Sequence, residues 1–589
     1  MFRAVQKIFP LLILITIMSC ATDNDAVRDL PEYSEALIEK VNGLLDSGQY
    51  TRALHLCRII DDGRISGIEK KAFTGLETDY HKAVDEQRYL EAAQYLKSLT
   101  AAGWETEDSL SDIYMSYVMN EIDENAVTPA LALFQQKIIR REAEISAVDE
   151  QLEKLFTAAV ENKNRVVLQY LLETYPDFSN ERVEAISALT EYTPEKAEMI
   201  SGTVTIWVDR GIRIEKGVGY PDRVIGSGFY IDSRGYILTN YHVISSEVDT
   251  EYEGFSRLYI KYDKNEEKIP ASVVGWDASL DIALIKVAYT PEYIYSFPEI
   301  REFKPGEKIY AIGSPGGLDK TITSGIISAS GDRRLLPLGD TIQVDVPINS
   351  GNSGGPVVDN DGNLVGVVFA GIEQFEGVNF IIPVKWILNS MTELYAEGRN
   401  RQSWLGFTVH ESNDGLEIIY VMPGTSGFVS GVEAGDHIIS IDGIEIDEIT
   451  EAQEQILSSR PDTLLNLVVE RSGEQLEFLL VAEARDDMPM ERALELDSKK
   501  NLVAPFLGMT VDRGNADVAG QEYIIRKVYR GMTADETGLS VDDPFSIVNW
   551  EIDEDNDVVI AGIRIKKRKA GFLETVIHLG NYIDINNTI

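Results

Sequence analysis

Gly351-Asn352-Ser353-Gly354-Gly355-Pro356 sets one hydroxyl inside a run of glycines. Glycine permits the tight, unusual backbone that aims neighbouring N–H groups at a common point. A serine hydroxyl is a weak nucleophile until a base takes its proton, and histidine is the natural base near neutral pH. His242, in Leu238-Thr239-Asn240-Tyr241-His242-Val243-Ile244, is the sole histidine between Ser201 and Asn400. A carboxylate must then hold the imidazole in one tautomer. Asp281 opens the apolar run Asp281-Ile282-Ala283-Leu284-Ile285-Lys286-Val287, which would carry it inward; Asp277, four residues earlier, is its rival. The N–H groups of Gly351 and Ser353 are the expected donors to a developing oxyanion. From Ser201 onward the surroundings are short β-rich runs punctuated by glycine (TVTIWV, GSGFYI, GYILTN, IALIKV, KIYAIG, NLVGVVF), the texture of an antiparallel barrel or sandwich.

Together the three segments, in the order His, Asp, Ser, resemble the HtrA (high-temperature-requirement, or Deg) family of trypsin-like serine proteases. The resemblance runs from Gly226 to Pro383 and includes GSGFYIDSRGYILTNYHVI, VVGWDASLDIALIKV, YAIGSPGGL, TSGIIS, QVDVPINSGNSGGPV and NFIIPV. It implies a chymotrypsin-like double β-barrel with the triad in the cleft between barrels. Ser353 would be the nucleophile, His242 the base and then the acid, and Asp281 the group that orients His242. Side chains near Ile348, Ala370 and Ile372 match the region lining the S1 pocket, implying small or medium apolar preference. Gly316, where the family often has an aromatic residue, and Tyr241, in place of a common Asn, are departures outside the triad. The loop Gly313-Ser314-Pro315-Gly316-Gly317 lacks the lysine of a phosphate cradle.

Downstream, Trp404 to about Ala484 carries WLGF and GLEIIYVMPGTSGFVSGVEAGDHIISIDGIEI, which resembles the PDZ domain that follows HtrA proteases. PDZ domains add an extended peptide to a sheet edge and hold its carboxylate with backbone N–H groups. Trp404-Leu405-Gly406-Phe407 matches the family's carboxylate-binding loop. Phe506-Leu507-Gly508-Met509 suggests a second copy, although Asp542-Asp543-Pro544 replaces the usual turn and leaves peptide binding there in doubt. The acidic stretch from Glu483 to Lys500 reads as the linker between the copies.

Upstream, the acidic residues Asp46, Asp85, Asp123 and Glu161 are 39, 38 and 38 apart, each followed seven residues later by Ala53, Ala92, Ala130 or Leu168. With apolar residues at i, i+3 and i+4 around these marks, the period suggests stacked helical hairpins, loosely similar to tetratricopeptide repeats. An irregular bundle with accidental spacing is the competing reading. At the N-terminus, Arg3 and Lys7 precede an apolar run from Ile8 to Met18, too short to span a bilayer and suited to a signal peptide. The ending Met18-Ser19-Cys20 resembles a lipobox, making Cys20 the expected lipidation site; an unmodified secretory signal is the alternative.

Net charge of −43 over 589 residues argues against nucleic acid as the main partner, because phosphate binding needs clustered Lys and Arg. Cys20 and Cys57 are the only cysteines, so neither a disulfide framework nor a Cys-rich zinc site is expected, and no cofactor is. The expected architecture is multi-domain: a signal peptide (1–19), all-α helical repeats (20–198), the double-barrel protease (199–398) and two PDZ-like α+β domains (403–485 and 501–589). The expected function is serine endopeptidase action on unfolded or damaged envelope proteins, with PDZ modules binding peptide C-termini. A lipid anchor would hold the protein facing the periplasm, and the resemblance implies homotrimers or higher assemblies. The competing reading is an envelope-anchored binding or chaperone scaffold with a latent protease site.

Overall fold

A computed structural model describes residues 31–589, apart from 61, 142, 180, 253–255, 262–267, 318–319, 332–333, 372–376, 397, 516–520, 554–556, 569–571 and 584–585. The expected signal peptide and Cys20 lie outside the described residues. The chain divides into two compact units. Of the described residues, one unit holds those before Gln87 together with Gln94–Glu105 and Gln402–Ile589, and the other holds Gln87–Ala93 and Thr106–Arg401.

The 38-residue spacing has a structural cause. Helices α1 (Pro31–Asp46), α3 (Ile65–Asp85), α5 (Leu110–Asp123) and α7 (Asp149–Glu161) each end on one of the four acidic residues. Helices α2 (Tyr50–Ile59), α4 (Tyr89–Ala101), α6 (Val127–Phe134) and α8 (Arg165–Thr174) follow after short turns. Two residues after each acidic mark the backbone is left-handed, at Gly48 (φ 74°), Gln87 (φ 59°), Asn125 (φ 61°) and Lys163 (φ 50°). In three of these turns the next N–H reaches back five residues, Gln49 to Leu44, Ala126 to Glu121 and Asn164 to Ala159, closing a Schellman-type cap. Ala53, Ala92, Ala130 and Leu168 are all fully buried in the second helices. A small residue at that point lets neighbouring helices approach. The acidic residues are exposed, so the period records turns and packing rather than chemistry.

The middle of the chain forms two six-stranded barrels. In the first, β1 (Thr203–Glu215), β2 (Val218–Asp232), β3 (Tyr236–Thr239), β4 (Arg257–Lys261), β5 (Lys268–Asp277) and β6 (Ile282–Val287) run in the order β5-β4-β1-β2-β3-β6, with β5 pairing β6 to close the ring. Val204, Ile206 and Val208 alternate inward from β1 and meet Tyr230, Ile237, Ile260 and Ile285. Burying such an aliphatic side chain contributes about 1.5–3 kcal/mol each, enough to hold the register of the ring. The second barrel joins β7 (Lys308–Gly313), β8 (Thr321–Ala329), β9 (Ile342–Val344), β10 (Pro356–Val358), β11 (Leu364–Gly371) and β12 (Asn379–Pro383) in the closed order β10-β11-β12-β9-β8-β7. Its core is Ile309, Ala311, Ile327, Val344, Val357, Val365 and Ile381.

In the other unit, Phe407–Ser412, Gly415–Val421, His437–Ile441, Leu464–Arg471 and Glu474–Val481 form one sheet, covered by the helix Ile449–Leu457. A second sheet is a meander of five strands between Met509 and Tyr582. The acidic stretch expected to be a linker is instead helical over Pro489–Leu496 and Lys499–Leu507. Met490, Ala493, Leu502, Val503 and Phe506 sink into the second core beside Ile525, Phe545 and Ile563, while Glu491 and Glu495 stay exposed. High charge on one face had hidden an amphipathic helix whose apolar positions are spaced three to four apart. Phe506 and Leu507 are buried at the end of that helix, and Gly508 (φ 74°) caps it.

Candidate active site

Strand register brings His242 to Asp281. Strand β3 pairs with β6 so that Thr239 faces Ala283, which sets the residues after β3 against those before β6. Asn240 is buried there and its Nδ2 donates to Asp281 O at 2.9 Å. His242 is the second residue of the helix Tyr241–Val248; its backbone N–H donates to Asp281 Oδ1 at 2.8 Å, and its Nδ1 lies 2.7 Å from Asp281 Oδ2. Both carboxylate oxygens are therefore committed to one residue. Asp281 itself is buried at φ 51°, a left-handed position that Asp tolerates better than most side chains. Asp277, the rival, has a different task. Its Oδ1 accepts the N–H groups of Ser279 and Leu280, both at 3.0 Å, and Asn400 Nδ2 binds its Oδ2, so it shapes the turn that presents Asp281.

Ser353 comes from the second barrel, in the loop entering β10. The first barrel grips this loop through Ser227, whose N–H donates to Ser353 O at 2.8 Å and whose Oγ donates to Gly351 O at 2.7 Å. Close approach depends on glycine at two places. A Cβ on Gly226 would lie 2.6 Å from Val243 Cγ1 and 3.3 Å from Ser353 O. A Cβ on Gly354 (φ 84°) would lie 2.3 Å from Ser227 O and 3.1 Å from Asn240 N. The serine loop thus sits directly against the segment that carries His242.

Along that loop Asn352 N–H donates to Asn349 O, Gly354 N–H to Val368 O and Gly355 N–H to Asn352 O. Among the described residues, the N–H groups of Gly351 and Ser353 donate to no protein acceptor. Ser353 Oγ is turned toward Phe369 O, 3.5 Å away, and makes no hydrogen bond to the His242 ring. Burial pushes the His242 imidazolium down, but the hydrogen bond and negative charge of Asp281 outweigh it, so its pKa stands above the usual 6.5. The His242 side chain is 44% exposed, leaving the edge away from Asp281 open to an incoming group.

Of the residues matched to the S1 region, Ile348 is half-buried at the edge of the second barrel core and Ala370 pairs with Phe380 across β11 and β12. Ile372 lies outside the described residues. In the loop matched to carboxylate binding, Trp404, Leu405 and Phe407 are buried and Gly406 adopts φ 84°. The N–H groups of Leu405, Gly406 and Phe407 converge on a single acceptor, Ile589 O, at 3.2, 3.1 and 3.2 Å. Sequence reasoning missed Ile589. Its only signal was an apolar residue ending the polar run Asn586-Asn587-Thr588.

Two antiparallel six-stranded barrels, with a paired His–Asp and a glycine-bound serine at their meeting, define the class of trypsin-like serine endopeptidases. Family comparison agrees. Residues 226–367 match the trypsin-like peptidase domain, 403–480 a PDZ domain, 490–583 the "TP0546 family PDZ domain" and 32–116 a domain of unknown function. A relative described as a probable periplasmic serine endoprotease DegP-like, from Marinomonas sp. (strain MWYL1), is 31% identical over 348 residues, covering 55% of this chain and 71% of that protein. A protein of the same description from Hahella chejuensis is 33% identical over 270 residues, covering 43% of this chain and 55% of that one. A crystal structure of the serine endoprotease from Yersinia pestis aligns with 50% of this chain and 100% of its own, at 27% identity and a TM-score of 0.39. The chain belongs to the HtrA, or DegP-like, family of serine endopeptidases.

Proposed function

We propose that Ser353, His242 and Asp281 cleave peptide bonds by an acyl-enzyme mechanism, acting on unfolded or damaged proteins of the cell envelope. Ser353 Oγ attacks the scissile carbonyl as His242 Nε2 takes its proton. The negative oxygen is received by the N–H groups of Gly351 and Ser353; losing one such donor typically costs about 2.7–4 kcal/mol. His242 then gives its proton to the departing amine, and water, activated by the same imidazole, releases the acyl group. Asp281 holds Nδ1–H so that Nε2 is the basic nitrogen, and stabilises the imidazolium once formed. The observation that carries this reading is the two-point bond of Asp281 to His242 beside a serine loop with two undirected N–H groups. Ile348, Ala370 and Ile372 are proposed to shape the pocket for the residue before the cleaved bond.

The relatives are named as periplasmic, which supports an envelope location here, and no helix among the described residues is long and apolar enough to cross a membrane. Anchoring through lipidated Cys20 after removal of residues 1–19, and assembly as a homotrimer, belong to the same proposal, as does C-terminal peptide binding by the loop Trp404–Phe407. Substitution Ser353→Ala is expected to abolish hydrolysis of casein; undiminished cleavage refutes the nucleophile. A scaffold with a latent site is the second reading, favoured by the rotation of Ser353 Oγ toward Phe369 O rather than His242. A serine hydroxyl changes rotamer at little cost, so the two readings separate by chemistry. Fluorophosphonate labelling of Ser353 supports the peptidase, and its failure under all conditions supports the scaffold.

A further inference from the structure

The groove of the first PDZ domain already holds a peptide, and that peptide belongs to the same chain. Asn587–Ile589 lies antiparallel to the strand Phe407–Ser412: Ile589 N–H donates to Phe407 O at 3.0 Å, Val409 N–H to Asn587 O at 2.9 Å, and Thr408 bridges Thr588. Asn587 Nδ2 returns a bond to Val409 O at 2.9 Å. From the helix flanking the groove, Gln453 Nε2 donates to Thr588 O at 3.2 Å. Ile589 is 2% exposed, among the core residues Leu405, Phe407, Ile449, Ala452 and Ile456. Ile589 O takes all three N–H bonds of the loop from Leu405 to Phe407. Main-chain pairing, an apolar pocket for one side chain and convergent N–H donors are the three elements by which a PDZ groove receives a peptide.

We infer that Asn587–Ile589 is an intramolecular ligand of the first PDZ domain, so that an outside peptide with an apolar final residue must displace it. This rests on the reading of that groove as a peptide site. The tether is short. Ile583 is buried in the second core and its N–H donates to Asp557 O at 2.8 Å, leaving four Cα steps to Asn587, at most about 14 Å of chain. The second domain is itself fastened to the first: Lys527 Nζ reaches Glu417 Oε1 at 2.6 Å and Tyr529 OH reaches the same oxygen at 3.1 Å. A short tether gives an effective concentration on the order of millimolar, so a peptide of micromolar affinity is weakened on the order of 100- to 1000-fold by the occupant.

The test compares the full chain with one lacking residues 587–589, using fluorescent Asp-Ile-Asn-Asn-Thr-Ile, the sequence of residues 584–589, as probe. The shortened chain should bind this probe at least roughly 100-fold more tightly by anisotropy. Full-length Ile589→Asp should behave like the shortened chain, and Ile589→Val like the parent. In hydrogen exchange, the amides of Leu405, Gly406, Phe407 and Val409 should be protected in the full chain, exposed in the shortened chain and protected again when peptide is added. Equal probe binding by both chains, or equal exchange at these amides, overturns the self-ligand while leaving the peptide site standing. No binding by the shortened chain, with its amides exposed, overturns both: the segment is then a fixed strand of the fold.

Discussion

Substitution Asp281→Asn isolates the electrostatic role of one side chain with little change in shape. Asn tolerates the left-handed φ of 51° that Asp281 adopts, so the bonds from Asn240 Nδ2 and the Tyr241 N–H to its backbone carbonyl should survive. The side chain cannot do what it did before. Asp281 accepts from the His242 N–H with one oxygen and from Nδ1–H with the other, whereas Asn has one acceptor and one donor. With its oxygen kept on the backbone N–H, its NH2 faces Nδ1 and forces Nδ1 to accept. The imidazole proton then sits on Nε2, and the nitrogen away from Asp281 is no longer a base. The opposite orientation sets NH2 against the backbone N–H, two donors in a buried place. Either way kcat should fall about 10⁴-fold, the size of effect this tautomer error has in the triad of known serine proteases, equivalent to about 5 kcal/mol. Steady-state hydrolysis of a chromogenic peptide, with circular dichroism to show the fold intact, reads the outcome. A folded Asp281→Asn enzyme within tenfold of the parent kcat/KM would refute the orienting role.

The same geometry sets a pH dependence: His242 must be neutral to accept a proton, and its pKa is raised, so kcat/KM should climb with pH through a limb lying above 6.5. The sign for stability is opposite, since a raised pKa contributes stability below 6.5 that is lost as pH rises through the folded-state value; a limb below 6.5 contradicts the dominance of Asp281. Gly354→Ala should cost both stability and activity, because the added Cβ lies 2.3 Å from a main-chain oxygen at φ 84°; a melting temperature and casein cleavage unchanged from the parent would remove the argument for close approach. In the helical region, Leu168→Ala empties a fully buried site and should destabilise by about 2–5 kcal/mol, whereas Glu161→Ala at the exposed mark should stay within about 0.5 kcal/mol, both read as shifts in urea denaturation.

How much of this was legible beforehand depended on whether the signal was local. The glycines around Ser353, the N-terminal position of His242 and the carboxylate before β6 are short-range features, and acyl-transfer chemistry restricts them enough to be named from the chain alone. The repeat of acidic and small residues was equally legible, because helix caps and buried alanines recur wherever the same hairpin is built. The helices over 489–507 were misjudged, since acidity on one face masked apolar positions that only a finished core reveals.

From the sequence by itself came the chemistry and the succession of modules: which residues can act as nucleophile, base and orienting acid, and where β texture replaces helix. Tertiary structure placed Asp281, rather than Asp277, against His242, through the β3–β6 register and the turn at 277–281 that takes up the Asp277 carboxylate. It also turned Ser353 Oγ toward Phe369 and seated Ile589 on the loop Leu405–Phe407, more than 180 residues earlier in the chain. Bonds between residues so far apart in sequence are set by chain folding and packing, and no local pattern of side chains encodes them.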